Sequence, residues 1–137
     1  MIVRLTAALA AAGTLGACAT APASDPFEAL DAEAEAALAR YERTGETRNC
    51  VSTRRIDRIE PLSERVWLFE MRGGEDYLNV VSRGCSGADS AFTYLQYETS
   101  GTQLCASQIV RVIDQPSDSP RGSCGLGPFE RLDRLED

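Results

Sequence analysis

Val66-Trp67-Leu68-Phe69-Glu70-Met71, then Gly73-Gly74, then Tyr77-Leu78-Asn79-Val80-Val81 is the stretch whose reading decides the fold. Two β-branched and aromatic runs flank a pair of glycines, and glycine supplies the positive φ that a tight hairpin turn needs. A two-residue loop at Gly73-Gly74 predicts that Phe69 faces Leu78 and Trp67 faces Val80 on one apolar side. The other side, with Leu68, Glu70, Tyr77 and Asn79, is mixed. In this pairing Trp67 is a core residue rather than a platform for a sugar ring.

Outward from the hairpin, further strands are expected near 51–59, 91–98, 102–105 and 108–114. A Pro/Ser/Asp loop is expected over 115–122, and a short edge at Pro128-Phe129. Upstream, Asp25-Pro26-Phe27-Glu28 reads as a helix start, with Asp25 as N-cap and Pro26 at the first helical position. Phe27, Leu30, Ala34, Leu38 and Tyr41 then recur at helical spacing, which predicts one amphipathic helix over 26–44, stopped by Gly45. Its acidic opposite face (Asp31, Glu35, Glu42) argues for packing on the following domain rather than on a membrane, where Lys or Arg is wanted. The fold class that results is mainly β: a small antiparallel sheet curled into a barrel or sandwich over 48–132, with a polar tail at 133–137.

The N-terminus has a different character. Arg4 precedes the apolar run Leu5 to Leu15, which is too short to span a bilayer as a helix, and Leu15-Gly16-Ala17-Cys18 follows at once. This reads as a lipoprotein signal over 1–17, with Cys18 as the lipidation site and 18–25 as a tether. An ordinary secretory signal cut near Ala19 or Ala21 is the alternative, which would leave a soluble periplasmic protein. By resemblance to bacterial lipoprotein signals, the absence of Asp after the Cys implies the outer membrane, with the domain facing the periplasm. The membrane partner is then reached through lipid.

The 137-residue chain has 14 basic and 21 acidic side chains, and removing residues 1–17 leaves one domain of 120 residues at a net charge of −8. An acidic chain of this kind excludes nucleic-acid binding and suits basic proteins or peptides, such as a basic envelope protein. There is no His and no Lys. Ser-His-Asp and Cys-His catalysis, His metal ligation and Schiff-base chemistry are closed to it. No cofactor motif and no metal-ligand spacing is present.

Cys50, Cys85, Cys105 and Cys124 are an even set in an exported chain and predict two disulfides. The preferred pairing is Cys85–Cys105 with Cys50–Cys124. Arg54, Arg55 and Arg58 form a candidate anion-binding cluster, because guanidinium groups fork carboxylates and phosphates; pairing with Asp57, Glu60 and Glu64 is the plainer reading. Glu75-Asp76 at the hairpin tip reads as a solvated turn, since neighbours on a strand point to opposite faces.

Cys50-Val51, Leu68 to Gly74, Tyr77-Leu78-Asn79, Cys85, Phe92-Thr93-Tyr94, Leu104-Cys105 and Ser123 to Phe129 occur in an order that resembles a family of short proteobacterial exported proteins, many of them lipoproteins. That family has no assigned activity, so the resemblance implies no catalytic residues. The expected function is a non-enzymatic interaction or envelope-maintenance module. An inhibitor of a basic, lysozyme-like envelope hydrolase is the alternative, and a carboxylate-based glycan hydrolase the remaining enzymatic reading.

Overall fold

The computed structural model describes residues 25–99 and 101–136. The expected signal, Cys18 and the tether up to residue 24 lie outside the described residues. Among the described residues the strands are β1 (Tyr41–Arg48), β2 (Cys50–Ser52), β3 (Ile56–Pro61), β4 (Val66–Met71), β5 (Asp76–Val80), β6 (Thr93–Tyr97), β7 (Gln103–Cys105), β8 (Ile109–Asp114), β9 (Ser119–Gly125) and β10 (Phe129–Arg134). They make a five-stranded sheet in the order β1-β10-β5-β4-β3, a three-stranded sheet in the order β6-β8-β9, and a β2-β7 pair, all antiparallel. The fold is mainly β and sandwich-like, and its sheets do not close into a barrel.

The hairpin forms where the sequence places it, but one residue out of the expected register. Phe69 faces Tyr77, Leu68 faces Leu78, and Trp67 faces Asn79 rather than Val80. The turn takes more than Gly73-Gly74, both of which adopt positive φ, and the added residue shifts every pair. Trp67, Phe69, Met71 and Tyr77 therefore share one face, packed toward the three-stranded sheet with Val110, Val112, Leu126 and Phe129. Val66, Leu68 and Leu78 occupy the other with Leu62 and Leu132. Both faces are covered, so Val66 to Phe69 is buried without a break.

The second face is covered by the N-terminal segment. Instead of one helix over 26–44, residues 26–29 make a 3₁₀ turn and α1 runs over Ala32–Leu38. The Asp31 carboxylate accepts from Ala34 N at 2.8 Å, so a second cap interrupts the first helical stretch. Asp competes with helical hydrogen bonding inside a helix and stabilises its start. Phe27, Leu30, Ala34 and Leu38 all reach the second core as their spacing predicts. Tyr41 reaches it too, but from β1, because residues 41–48 pair with β10. Gly45 is thus no helix stop; it sits where the β1–β10 register shifts.

Three further expectations change. Phe129 is no short edge: β10 lies between β1 and β5, and its strand runs into the segment expected as a polar tail. The sheet consequently spans 41–134 rather than 48–132. The 115–122 loop shrinks to a turn at 115–118, and Gly122 and Gly125 lie within β9. The disulfides are Cys50–Cys105 and Cys85–Cys124, not the expected pairs. Strand pairing decides this: Cys50 stands directly opposite Cys105 on β2 and β7, with 4.0 Å between their Cα atoms. Cys124 on β9 meets the loop after β5, beside the Ser82–Gly125 bridge.

Asn79 and Gly127 make a second tie between β5 and the segment before β10. The buried Asn79 side chain donates to Gly127 O at 2.7 Å and accepts from Gly127 N at 2.9 Å. A Cβ on Gly127 would lie 2.3 Å from Val80 O, a backbone atom that cannot step aside. Gly127→Ala should therefore cost about 3 kcal/mol, read as a lower urea midpoint at unchanged slope.

Between β1 and β10, the Arg43 guanidinium donates to Glu130 at 2.6 Å and Gly45 N adds a bond of 3.2 Å. Arg43 holds the Glu130 carboxyl below its ordinary range, with burial opposing. The stability this contributes is present above the unfolded-state value of about 4.3 and is lost as pH falls through the lower folded-state value. Glu130→Gln should flatten that part of the acid limb of a stability–pH profile; an unchanged limb would show that the pair contributes nothing.

Candidate binding cleft

The two sheets are joined along one side and open along the other. On the closed side, Cys85–Cys124 and the Ser82–Gly125 bridge link the end of β5 to β9. On the open side, β3 ends one sheet and β6 ends the other. A cleft of about 710 Å³ runs between these two edges. Its floor is the margin of the main core: Ile56 and Ile59 from β3, and Leu95 and Tyr97 from β6, are only half buried. Alternation turns Leu95 and Tyr97 inward on β6, and the bulge between Ile56 and Arg58 does the same for Ile56 and Ile59 on β3, but neither strand has a neighbour to cover them.

The rim is acidic. Asp57 and Glu60 of β3, Glu33 of α1 and Asp89 of the loop before β6 line the cleft, against the single cation Arg58. Arg58 lies 3.6 Å from Glu60, and Arg72 lies 3.1 Å from Asp57. β6 itself, Thr-Tyr-Leu-Gln-Tyr, carries no charge.

The structure divides the arginines that the sequence groups together. Arg58 lines the cleft, while Arg54 and Arg55 lie in a 3₁₀ turn at Thr53–Arg55. Arg55 folds over the hairpin turn, where its Nε donates to Arg72 O at 3.2 Å and a terminal nitrogen lies 3.9 Å from Glu75. Arg54 is exposed and has no ion pair among the described residues. Glu64 accepts from Gly87 N at 3.0 Å rather than from an arginine. The four cysteines are all consumed in disulfides.

One polar site escapes sequence reasoning. Asp76, expected in a solvated turn, is buried: it accepts from Met71 N at 2.8 Å, Tyr41 Oη at 3.0 Å and Arg134 at 2.8 Å. Burial raises the Tyr41 phenol above its ordinary value, with Arg134 opposing and Asp76 adding to the rise. The partners arrive from β1 and β10, distant in sequence, so no local pattern could announce them. This carboxylate has its acceptor sites engaged by its own chain and ties β5 to β1, β4 and β10.

Compared with protein-family models, with curated proteins and with solved structures, the chain matches none.

Proposed function

We propose that this is an envelope protein anchored through a lipid on Cys18 to the outer membrane, facing the periplasm, and that it works as a non-enzymatic interaction module. The observation that carries the binding reading is the cleft: core side chains left half uncovered between two sheet edges, under a rim of four acids and one arginine. The chain's net charge of −7 extends the same field beyond the rim. Such a surface complements a basic partner and speeds its encounter. The signal-like N-terminus and the resemblance of 50–129 to exported lipoprotein-type chains support the location.

The rim charge also favours the narrower reading, inhibition of a basic envelope hydrolase. A column of immobilised lysozyme should retain the protein at low salt and release it by about 0.3 M, where the Debye length has fallen well below 10 Å. Glu60→Arg combined with Asp89→Arg should elute earlier. Retention unchanged by that double substitution would remove the cleft from the reading, and no retention at low salt would remove the hydrolase partner. For the anchor, Cys18→Ser should abolish incorporation of labelled palmitate; incorporation that persists would refute it.

A further inference from the structure

The two edges that flank the cleft are not equivalent. In an antiparallel ladder, residues alternate between those whose N–H and C=O both face the neighbouring strand and those whose groups both face away. Leu62 N donates to Val66 O at 2.8 Å, and the register continues through Glu60↔Leu68 and Arg58↔Glu70. Ile59 and Pro61 therefore turn their backbone toward the cleft, and Pro61 has no N–H to offer. β3 also carries Asp57, Arg58 and Glu60 and a bulge between Ile56 and Arg58. Charge, proline and a bulge are the devices that blunt a sheet edge.

β6 has none of these. Gln115 N donates to Phe92 O at 2.9 Å, and the register runs on without a shift from Thr93↔Asp114 to Tyr97↔Val110. Tyr94 and Gln96 thus bond to β8, while Thr93, Leu95 and Tyr97 face away from it. Thr93 N is taken by Ser90 O at 3.3 Å. Leu95 and Tyr97 present N–H and C=O to the cleft, beside the side chains that form its floor.

We infer that an extended basic segment of a partner protein adds to the three-stranded sheet as a fourth strand along β6, bonding to the backbone of Leu95 and Tyr97. The inference rests on the cleft being the docking site and adds how the docking is made. Because strand side chains alternate, one set from the segment covers Leu95, Tyr97, Ile56 and Ile59, and apolar residues suit it. The cleft lining also sets Glu33, Asp57, Glu60 and Asp89 against Arg58, so arginine or lysine suits the segment's other positions. A second copy of this chain would bring acid against acid, so the charge selects a basic partner.

The test uses an end-blocked alternating Val-Arg octapeptide and two N-methylated isomers, one methylated on every Val and one on every Arg. Side chains and charge are the same in all three. A strand bonds along one edge only, so the parent and one isomer should bind, while the other isomer loses at least about tenfold, the effect of forfeiting two or three backbone hydrogen bonds. Tyr97→Pro should weaken the parent peptide to a similar degree without loss of the β8 ladder, because Tyr97 N points away from it. If that variant fails to fold by circular dichroism, the methylated pair decides alone. Equal binding of all three peptides would overturn the strand addition while leaving an electrostatic cleft intact. No binding of the parent peptide would overturn the docking reading itself. A concentration-dependent dimer that Tyr97→Pro abolishes would assign the edge to a second copy and overturn the proposal.

Discussion

Replacing Cys85 and Cys124 together by Ala is expected to lower folding stability by about 4 kcal/mol. The bond closes a loop of 39 residues, and the chain-entropy estimate for a loop of that length gives this magnitude. Both residues are buried, so the substitution also removes packing at the margin of the core. Natural domains have about 5–15 kcal/mol in total, so the loss is a large fraction of the whole. In a domain of this size the melting temperature should fall by roughly 15 °C. A fall of only a few degrees would show that the Ser82–Gly125 bridge and the core hold the closed side without the covalent bond. Non-reducing proteolysis with mass spectrometry gives the complementary check, since Cys50–Cys105 and Cys85–Cys124 peptides are expected and any other pairing contradicts the strand register.

Asp76→Ala is expected to cost about 3 kcal/mol, because a charged acceptor of three hydrogen bonds is removed. The loss is unequal among the partners. Arg134 is 63 % exposed and recovers water, whereas Met71 N–H is left buried with no acceptor. Asp76→Asn keeps an acceptor for Met71 N and gives up only the charge, so it should cost about 1 kcal/mol. Arg134→Ala should cost no more than Asp76→Asn, as befits an exposed partner. The order of these three in urea unfolding is the test. If Arg134→Ala were the most damaging, the carboxylate would be acting mainly through the ion pair rather than through the hairpin turn.

How much was legible in the sequence depended on the range of the contacts involved. Gly73-Gly74 marked the hairpin correctly because turn chemistry is local. Its register is off by one residue because Arg72 joins the turn, its N–H donating to Arg55 O at 2.7 Å. The stripe from Phe27 to Leu38 predicted the right buried residues, since i, i+3 and i+4 spacing reports a shared face even across an interruption. Tyr41 fitted the same spacing and misled, for the pairing of β1 with β10 brings together residues 41 and 134. The disulfide partners failed for a similar reason: nearness in sequence favoured Cys85 with Cys105, while β2 carries Cys50 to Cys105. In the cleft, the sequence marks Arg58 but not the half-covered floor. Two edge strands left unpaired are a property of sheet order, and Asp76's partners are a property of the same order.

The unbroken burial of Val66 to Phe69 has a consequence away from the native state. A strand covered on both faces is apolar wherever its side chains have no buried hydrogen-bond partner, and such a run is also the kind most prone to cross-chain stacking when a chain is open. Here it is bracketed by Arg65 on one side and Glu70 and Arg72 on the other. Charges in these places act as gatekeepers: they oppose the close approach of identical segments from neighbouring chains. The residues that make the centre of the sheet dry are thus a hazard of misassembly, and the flanking charges are its restraint.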